Sequence, residues 1–263
     1  MAWDRLRSAL LRRGFYTARY HRPAAIDHTL QALRPRIDQS QLIRVGGAGD
    51  GGYLIPDVLS GIAACFSPGV DVKASFEADL AARGIPSHLC DASVEGPPPG
   101  FEPASFEKRF LGPYDQGITM SLEDWFTRHA ALDDGKDYLL QMDIEGDEYD
   151  VIMASSRALL RKFRILVIEF HYLGNLFDPA AAPYLARVFG KLALDFQPVH
   201  LHANNGWGSL SDGSITIPKV LEATYLRRDH LRPSNGDMRL PHPLDRKCVP
   251  DKDEMLLDPA FYR

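Results

Sequence analysis

The chain has 263 residues, 45% of them hydrophobic and 25% charged, which suits one sizeable α/β core rather than two small domains or a disordered chain. Its formal net charge of −5 argues against a general nucleic-acid binder, which needs a basic face. Three cysteines in no metal or redox spacing, Cys65, Cys90 and Cys248, predict reduced thiols and a cytoplasmic setting, and no apolar run approaches the roughly 18–20 residues of a membrane span.

The opening stretch MAWDRLRSALLRRGF places Trp3, Leu6, Leu10 and Phe15 near helical spacing with arginines between. That pattern predicts a basic amphipathic helix that docks on its own domain or on a second subunit, with contact to an anionic membrane surface as the other use. It lacks the apolar stretch of a signal peptide. HTLQALRPRI reads as a second helix stopped by Pro35, and LIRVGGAGDGGYLIP as a glycine-turned hairpin. From Ile62 onward short apolar strands alternate with helices. IAACFSPGV, PSHLCDAS, EKRFLG, DYLLQMDIEG, FRILVIEFHYLG, FQPVHLHANN and KVLEATYLRR are the expected strands; KASFEADLAARG, SLEDWFTRHAAL, DEYDVIMASSRALLRK and PYLARVFGKLALD are the expected helices. Ser121 is a helix N-cap by its spacing from Asp124. The order predicts an α/β fold with a mostly parallel sheet covered by helices on both faces and an antiparallel pair at one edge.

In open α/β sheets ligands bind outside the carboxyl ends of the strands, so the residues there are the candidates. The first end is the Ser67-Pro68-Gly69 turn, the second Asp91, the fourth Asp143 with Glu145, the fifth Glu169 with His171, and the sixth His200, His202, Asn204 and Asn205. Asp147 and Glu148 read as helix-start charges that complement the dipole of the next helix, and Asp150 as a solvated position. At most one of His200 and His202 is expected at a given site. GAGDGG, residues 47–52, matches a dinucleotide-binding fingerprint, yet the extended YLIP follows it instead of a helix. A hairpin carrying Asp50 and Tyr53 over the strand ends is expected instead.

The set GAGDGGY, CFSPGV…SFEADLAARG…LCD, LLQMDIEGDEYDVI, VIEFH and HLHANN resembles the FkbM-type methyltransferases, in particular a subgroup with a DGGY element ahead of the core. The resemblance covers about residues 42–228. It implies a class I, Rossmann-like methyltransferase domain over 42–263, after a helical extension at 1–41. The implied sheet has seven strands, mostly parallel, with a reversed edge strand. It also implies S-adenosylmethionine as cofactor and O-methylation of a hydroxyl on a sugar, glycan or secondary metabolite. By position, Ser67 and Gly69 would meet the cofactor's amino-acid part, Asp91 its ribose, Leu111 its adenine, and Asp143 the methionine or methyl group. The first motif departs from the usual acid and several glycines, since Cys65-Phe66-Ser67-Pro68-Gly69 has one glycine and no acid.

An alcohol needs help to lose its proton at neutral pH, from a placed base or from a metal ion. His171, with Asp143 and Glu145, is the expected catalytic group. The metal alternative is Mg²⁺ or Mn²⁺ on Asp143 and Glu169. Asp50, Tyr53, His202 and Asn204 are expected at the substrate, with Trp207, Tyr172 and Trp125 as aromatic surfaces on which a sugar can stack. The partner is a small molecule or glycan and no nucleic acid, and the chain is read as a candidate homo-oligomer. A non-catalytic binding module and a nucleotide-dependent oxidoreductase are the competing functions.

Overall fold

A computed structural model describes residues 2–14, 23–70, 73–235 and 238–263; the side chain of Trp3, and Phe15 entirely, lie outside the described set. Two helices come first, α1 (Ala2–Leu11) and α2 (Ala24–Leu33). The hairpin β1 (Leu42–Val45) and β2 (Tyr53–Pro56) follows, paired antiparallel from Leu42↔Pro56 to Val45↔Tyr53. Then come β3 (Ile62–Pro68), α3 (Ser75–Ala82), β4 (Ser87–Cys90), β5 (Ser105–Glu107), β6 (Phe110–Gly112) and β7 (Thr119–Ser121). α4 (Leu122–His129), β8 (Asp137–Met142), α5 (Glu148–Ala154), α6 (Arg157–Leu160) and β9 (Phe163–Phe170) form the middle. α7 (Ala182–Ala193), β10 (Phe196–Ala203), β11 (Ser209–Ser211), β12 (Thr216–Pro218) and β13 (Leu221–Arg227) complete it.

The main sheet has seven strands in the order β10-β13-β9-β8-β3-β4-β5. β13 runs antiparallel to both its neighbours, and the remaining pairs are parallel. The reversed strand is therefore not at the edge, as expected, but between β9 and β10. The chain leaves β10, turns through the small β11–β12 hairpin and slots back in. Three local differences accompany this. The third sheet strand is Ser105–Glu107, ahead of the predicted EKRFLG. Residues 110–112 instead pair with 119–121 in a separate two-stranded ladder. The predicted helix from Asp147 breaks at Ser155 and restarts with Ser156 as N-cap, which accepts from Leu159 N.

Strand residues alternate between the two faces, and the core divides accordingly. Phe66, Leu166, Ile168 and Phe170 pack with residues of α2, α4, α5 and α7, among them Leu30, Phe126, Tyr149 and Phe189. Cys65, Leu139, Ile165 and Val167 face the other way, onto Phe76 and Leu80 of α3 and Val45, Tyr53 and Ile55 of the hairpin. The second face is thus covered by a helix and a hairpin rather than by helices alone. α2 belongs to the main core, with Ile26 and Leu33 fully buried. α1 does not: its Leu6 and Leu11 are each 50% exposed. Among the described residues no helix is long and apolar enough to cross a membrane.

At the amino end of the central strands Asp137 closes a clamp. Arg164 Nε on β9 donates to Asp137 Oδ2 at 2.9 Å, and Arg227 Nη1 on β13 donates to Asp137 Oδ1 at 2.7 Å. Burial acts to raise the Asp137 pKa, but the two arginines outweigh it and hold the carboxyl below its ordinary value. A depressed carboxylate pKa stabilises the fold above the unfolded value, about 3.9, and the contribution fades as pH falls through the folded pKa. Asp137→Asn is expected to cost about 3 kcal/mol in urea denaturation at pH 7. The difference from wild type should shrink below about pH 4; a gap that stays constant with pH would contradict the clamp.

Candidate active site

The site is assembled where β3, β4, β8 and β9 end. Gly69, just past β3, has φ +81°, and a Cβ there would lie 1.6 Å from the Asp143 carbonyl oxygen. Only glycine lets the end of β3 press against the end of β8. The same contact is closed by Asp143 N donating to Pro68 O, while Gly69 N donates to Cys90 O. Two cavities meet at this point. One, of about 310 Å³, is lined by Asp91, Ser93, Phe110, Leu111, Asp143 and Glu145 among others. The other, of about 110 Å³, includes Tyr53, Lys73, Glu77 and Gln141. Asp50, Gly69 and Asp143 border both.

The hairpin roofs this cleft and is firmly tied. Gly46 N donates to Asp79 Oδ2, Gly47 N to Ser75 Oγ, and Ser75 Oγ to Gly51 O. Arg44 adds bonds to the carbonyls of Gly47 and Gly49. Tyr53 is buried beneath it, its hydroxyl 3.4 Å from Gln141 Nε2. Ser67 is wholly buried, with its hydroxyl 2.5 Å from Glu77 Oε1 and 2.6 Å from Gln141 Oε1. Asp91 Oδ1 accepts from Ser93 N and Ser93 Oγ, which fixes the carboxylate at the cavity wall. Leu111 supplies buried apolar wall beside the half-exposed Phe110.

The turn after β8 and the end of β9 are joined by a residue that the sequence misplaces. Glu148 does start α5, as expected, but its side chain points inward and is fully buried. One oxygen, Oε1, lies 2.9 Å from His171 Nδ1 and accepts from Ile144 N and Gly146 N. Nothing in the local sequence separates it from Asp147 and Asp150, which are exposed as predicted. His171 is buried too, with Nε2 turned to Asp143 Oδ1 at 3.8 Å and Glu145 Oε2 at 3.4 Å. Glu145 and Tyr172 both have positive φ, 59° and 54°, so each strand end carries a non-glycine residue in the left-handed region.

The charges are mutually dependent. Burial, reinforced by Glu145, Glu148 and Asp50, raises the Asp143 pKa to about 7 against the pull of His171. Burial acts to lower the His171 pKa, but the bond to Glu148 and the charges of Asp143 and Glu145 bring it above its ordinary value. Burial, then Asp143 and Glu222, push Glu169 well above the carboxylate range. Asp143, Glu169 and His171 each place a ligand atom within 4.8 Å of the others.

The sixth strand end is different. His200 and His202 are two apart and share a face of β10, yet they turn to different partners. Both are buried and paired, His200 Nε2 with Asp245 and His202 with Glu222 and Glu254. Burial acts to lower the His202 pKa, yet those carboxylates raise it to about 9. Asn204 is occupied by Glu169, and Asn205 by the backbone near Val249. Neither cavity at the strand ends is lined by His202 or Asn204. Trp125 lies in the core, whereas Trp207 and Tyr172 stay 47% and 54% exposed beside His171. A larger cavity, about 450 Å³, lies at the amino end of β10 among Arg34, Arg36 and Arg228, away from these groups.

Gly84 shares the left-handed conformation of Gly69, with φ +80°, but a Cβ there meets nothing within 4 Å. Gly84→Ala is expected to cost about 1 kcal/mol of conformational strain, and Gly69→Ala about 3 kcal/mol or more because backbone must also shift. Equal urea stabilities would show that the close approach of β3 to β8 is unimportant.

Residues 86–193 match the family model of the methyltransferase FkbM domain, a span that holds Asp91, Leu111, Asp143, Glu145, Glu148, Glu169 and His171. No curated protein matches the chain. The segment from β4 to α7, with its acids at the carboxyl ends of a mostly parallel sheet, is thus the part of the chain that matches the methyltransferase FkbM domain.

Proposed function

We propose that the chain is an S-adenosylmethionine-dependent O-methyltransferase acting on a hydroxyl of a sugar, glycan or secondary metabolite. The carrying observation is that Asp143 borders both cavities while His171, fixed by Glu148, stands directly behind it. The residues along the cleft fit the cofactor in order. Leu111 and Phe110 offer an apolar wall for adenine, and Asp91 offers a carboxylate for ribose hydroxyls. Lys73, Glu77 and Gln141 offer opposite polarities for the amino-acid end. Gly69 borders both cavities and lets the end of β3 press against the turn that carries Asp143. When bound, S-adenosylmethionine supplies an electrophilic methyl group on a sulfonium sulfur.

The protein's part is to hold a hydroxyl in line and take its proton. Glu148 receives the Nδ1 hydrogen of His171, which leaves Nε2 as the acceptor. Asp143, at the junction of the cavities, is the nearer group and takes the hydroxyl proton, which His171 Nε2 then accepts to give an imidazolium that faces the carboxylate and is held by Glu148. A carboxyl raised to about 7 is poised for this task near neutral pH. Trp207 and Tyr172, exposed beside His171, suit stacking against a sugar ring. The Asp50-Gly51-Gly52-Tyr53 roof supports the DGGY subgroup, and three free, buried cysteines fit a reducing compartment such as the cytoplasm.

The test combines calorimetry with S-adenosylhomocysteine and transfer of a labelled methyl group to a panel of hydroxyl compounds. Asp91→Ala should weaken S-adenosylhomocysteine binding by roughly tenfold or more. His171→Ala should leave that binding intact and lower turnover on the best acceptor by about 10²–10⁴-fold. Unchanged turnover in His171→Ala would remove the imidazole from the chemistry, and failure of wild type to bind would refute the cofactor assignment.

A further inference from the structure

Glu169 and Glu222 are direct partners across the antiparallel β9–β13 ladder, so their side chains stand side by side on one face. Both are buried, with 3% and 7% exposure. Like charges in that position repel, and each must be compensated. Among the described residues no lysine or arginine is ion-paired with either one. Glu222 is provided for by His202 Nδ1 at 2.9 Å and by the Cys248 thiol, which donates at 3.0 Å. Glu169 is not. Asn204 Nδ2 donates to its Oε1 at 2.8 Å, and its Oε2 has no hydrogen-bond partner among the described residues.

Asp50 lies above this pair, on the turn of the hairpin. One carboxylate oxygen each from Asp50, Glu169 and Glu222 falls within 4.8 Å of the other two. Oxygens that share one cation at about 2.1–2.4 Å are separated by no more than about 4.8 Å, so the trio meets that limit. An all-oxygen set selects a hard divalent ion. The adjacent trio His202, Glu222 and Cys248 also converges, but both imidazole nitrogens and the thiol hydrogen are already used.

The geometry points to a divalent-cation site formed by Asp50, Glu169 and Glu222, taking Mg²⁺ or Mn²⁺ and tying the hairpin roof to the reversed strand. This ligand set differs from Asp143 and Glu169, because it draws on β13 and on the roof. The ion compensates the facing glutamates, uses the unpartnered oxygen of Glu169, and holds Asp50 over the cleft that it borders. It goes beyond the methyl-transfer proposal and can be measured without it, since neither cofactor nor acceptor is needed.

Mn²⁺ titrated into the full chain, with free Mn²⁺ followed by electron paramagnetic resonance, gives the test. Wild type should bind one ion per chain saturably, Asp50→Asn and Glu222→Gln should weaken it by roughly tenfold or more, and His171→Gln should bind as wild type. Asp50 sits on an exposed turn, so a loss in Asp50→Asn is not a folding defect. Absence of saturable binding up to about 10 mM Mn²⁺ would overturn the site. So would binding that is lost in His171→Gln but indifferent to Asp50→Asn and Glu222→Gln.

Discussion

A carboxylate taken wholly out of water must be given donors, and Glu148 collects three on a single oxygen. Two are backbone N–H groups of the turn after β8, and the third is the ring of His171 after β9. The cleft depends on this bond. It bends the acidic turn back on itself, brings Asp143 and Glu145 to the mouth, and sets the orientation of the imidazole behind them. Tyr149, the next residue, bonds the carbonyl of His171 through its hydroxyl, so one turn of α5 fastens two strand ends.

The rest of the sheet holds those ends at a fixed distance. Asp137, Arg164 and Arg227 lock β8, β9 and β13 at the opposite end, and apolar layers fill both faces between. The polar groups therefore divide by end. Arginine–carboxylate pairs at the amino ends are charge-compensated and structural. At the carboxyl ends burial first, and neighbouring carboxylates second, raise Asp143 and Glu169, and among the described residues neither is ion-paired with an arginine. Such perturbation in a cleft is what makes these strand ends the candidate site.

Much of this is legible in the sequence because it is local. Apolar runs, glycine stops and an N-cap at Ser121 place most elements, and strand ends identify Asp91, Asp143, Glu145, Glu169 and His171. What escapes is non-local. Glu148 looks like any acid in a first helical turn, and only the fold turns it inward. Glu222 shows nothing until the register sets it opposite Glu169. The reversed strand reads as an edge because chain order does not disclose that β13 inserts between β9 and β10. His202 and Asn204 lie at a strand end as expected, but partners from β9, β13 and the C-terminal segment occupy them.

The central claim is that the cleft between the roof and the strand ends holds S-adenosylmethionine with its sulfur toward Asp143. A crystal structure with S-adenosylhomocysteine is the most direct test. The ribose should lie on Asp91, the adenine against Leu111, and the sulfur should face Asp143 with His171 behind. The same ligand in the arginine-lined cavity at the amino end of β10, or in the cleft with its sulfur turned away from Asp143, would contradict the account.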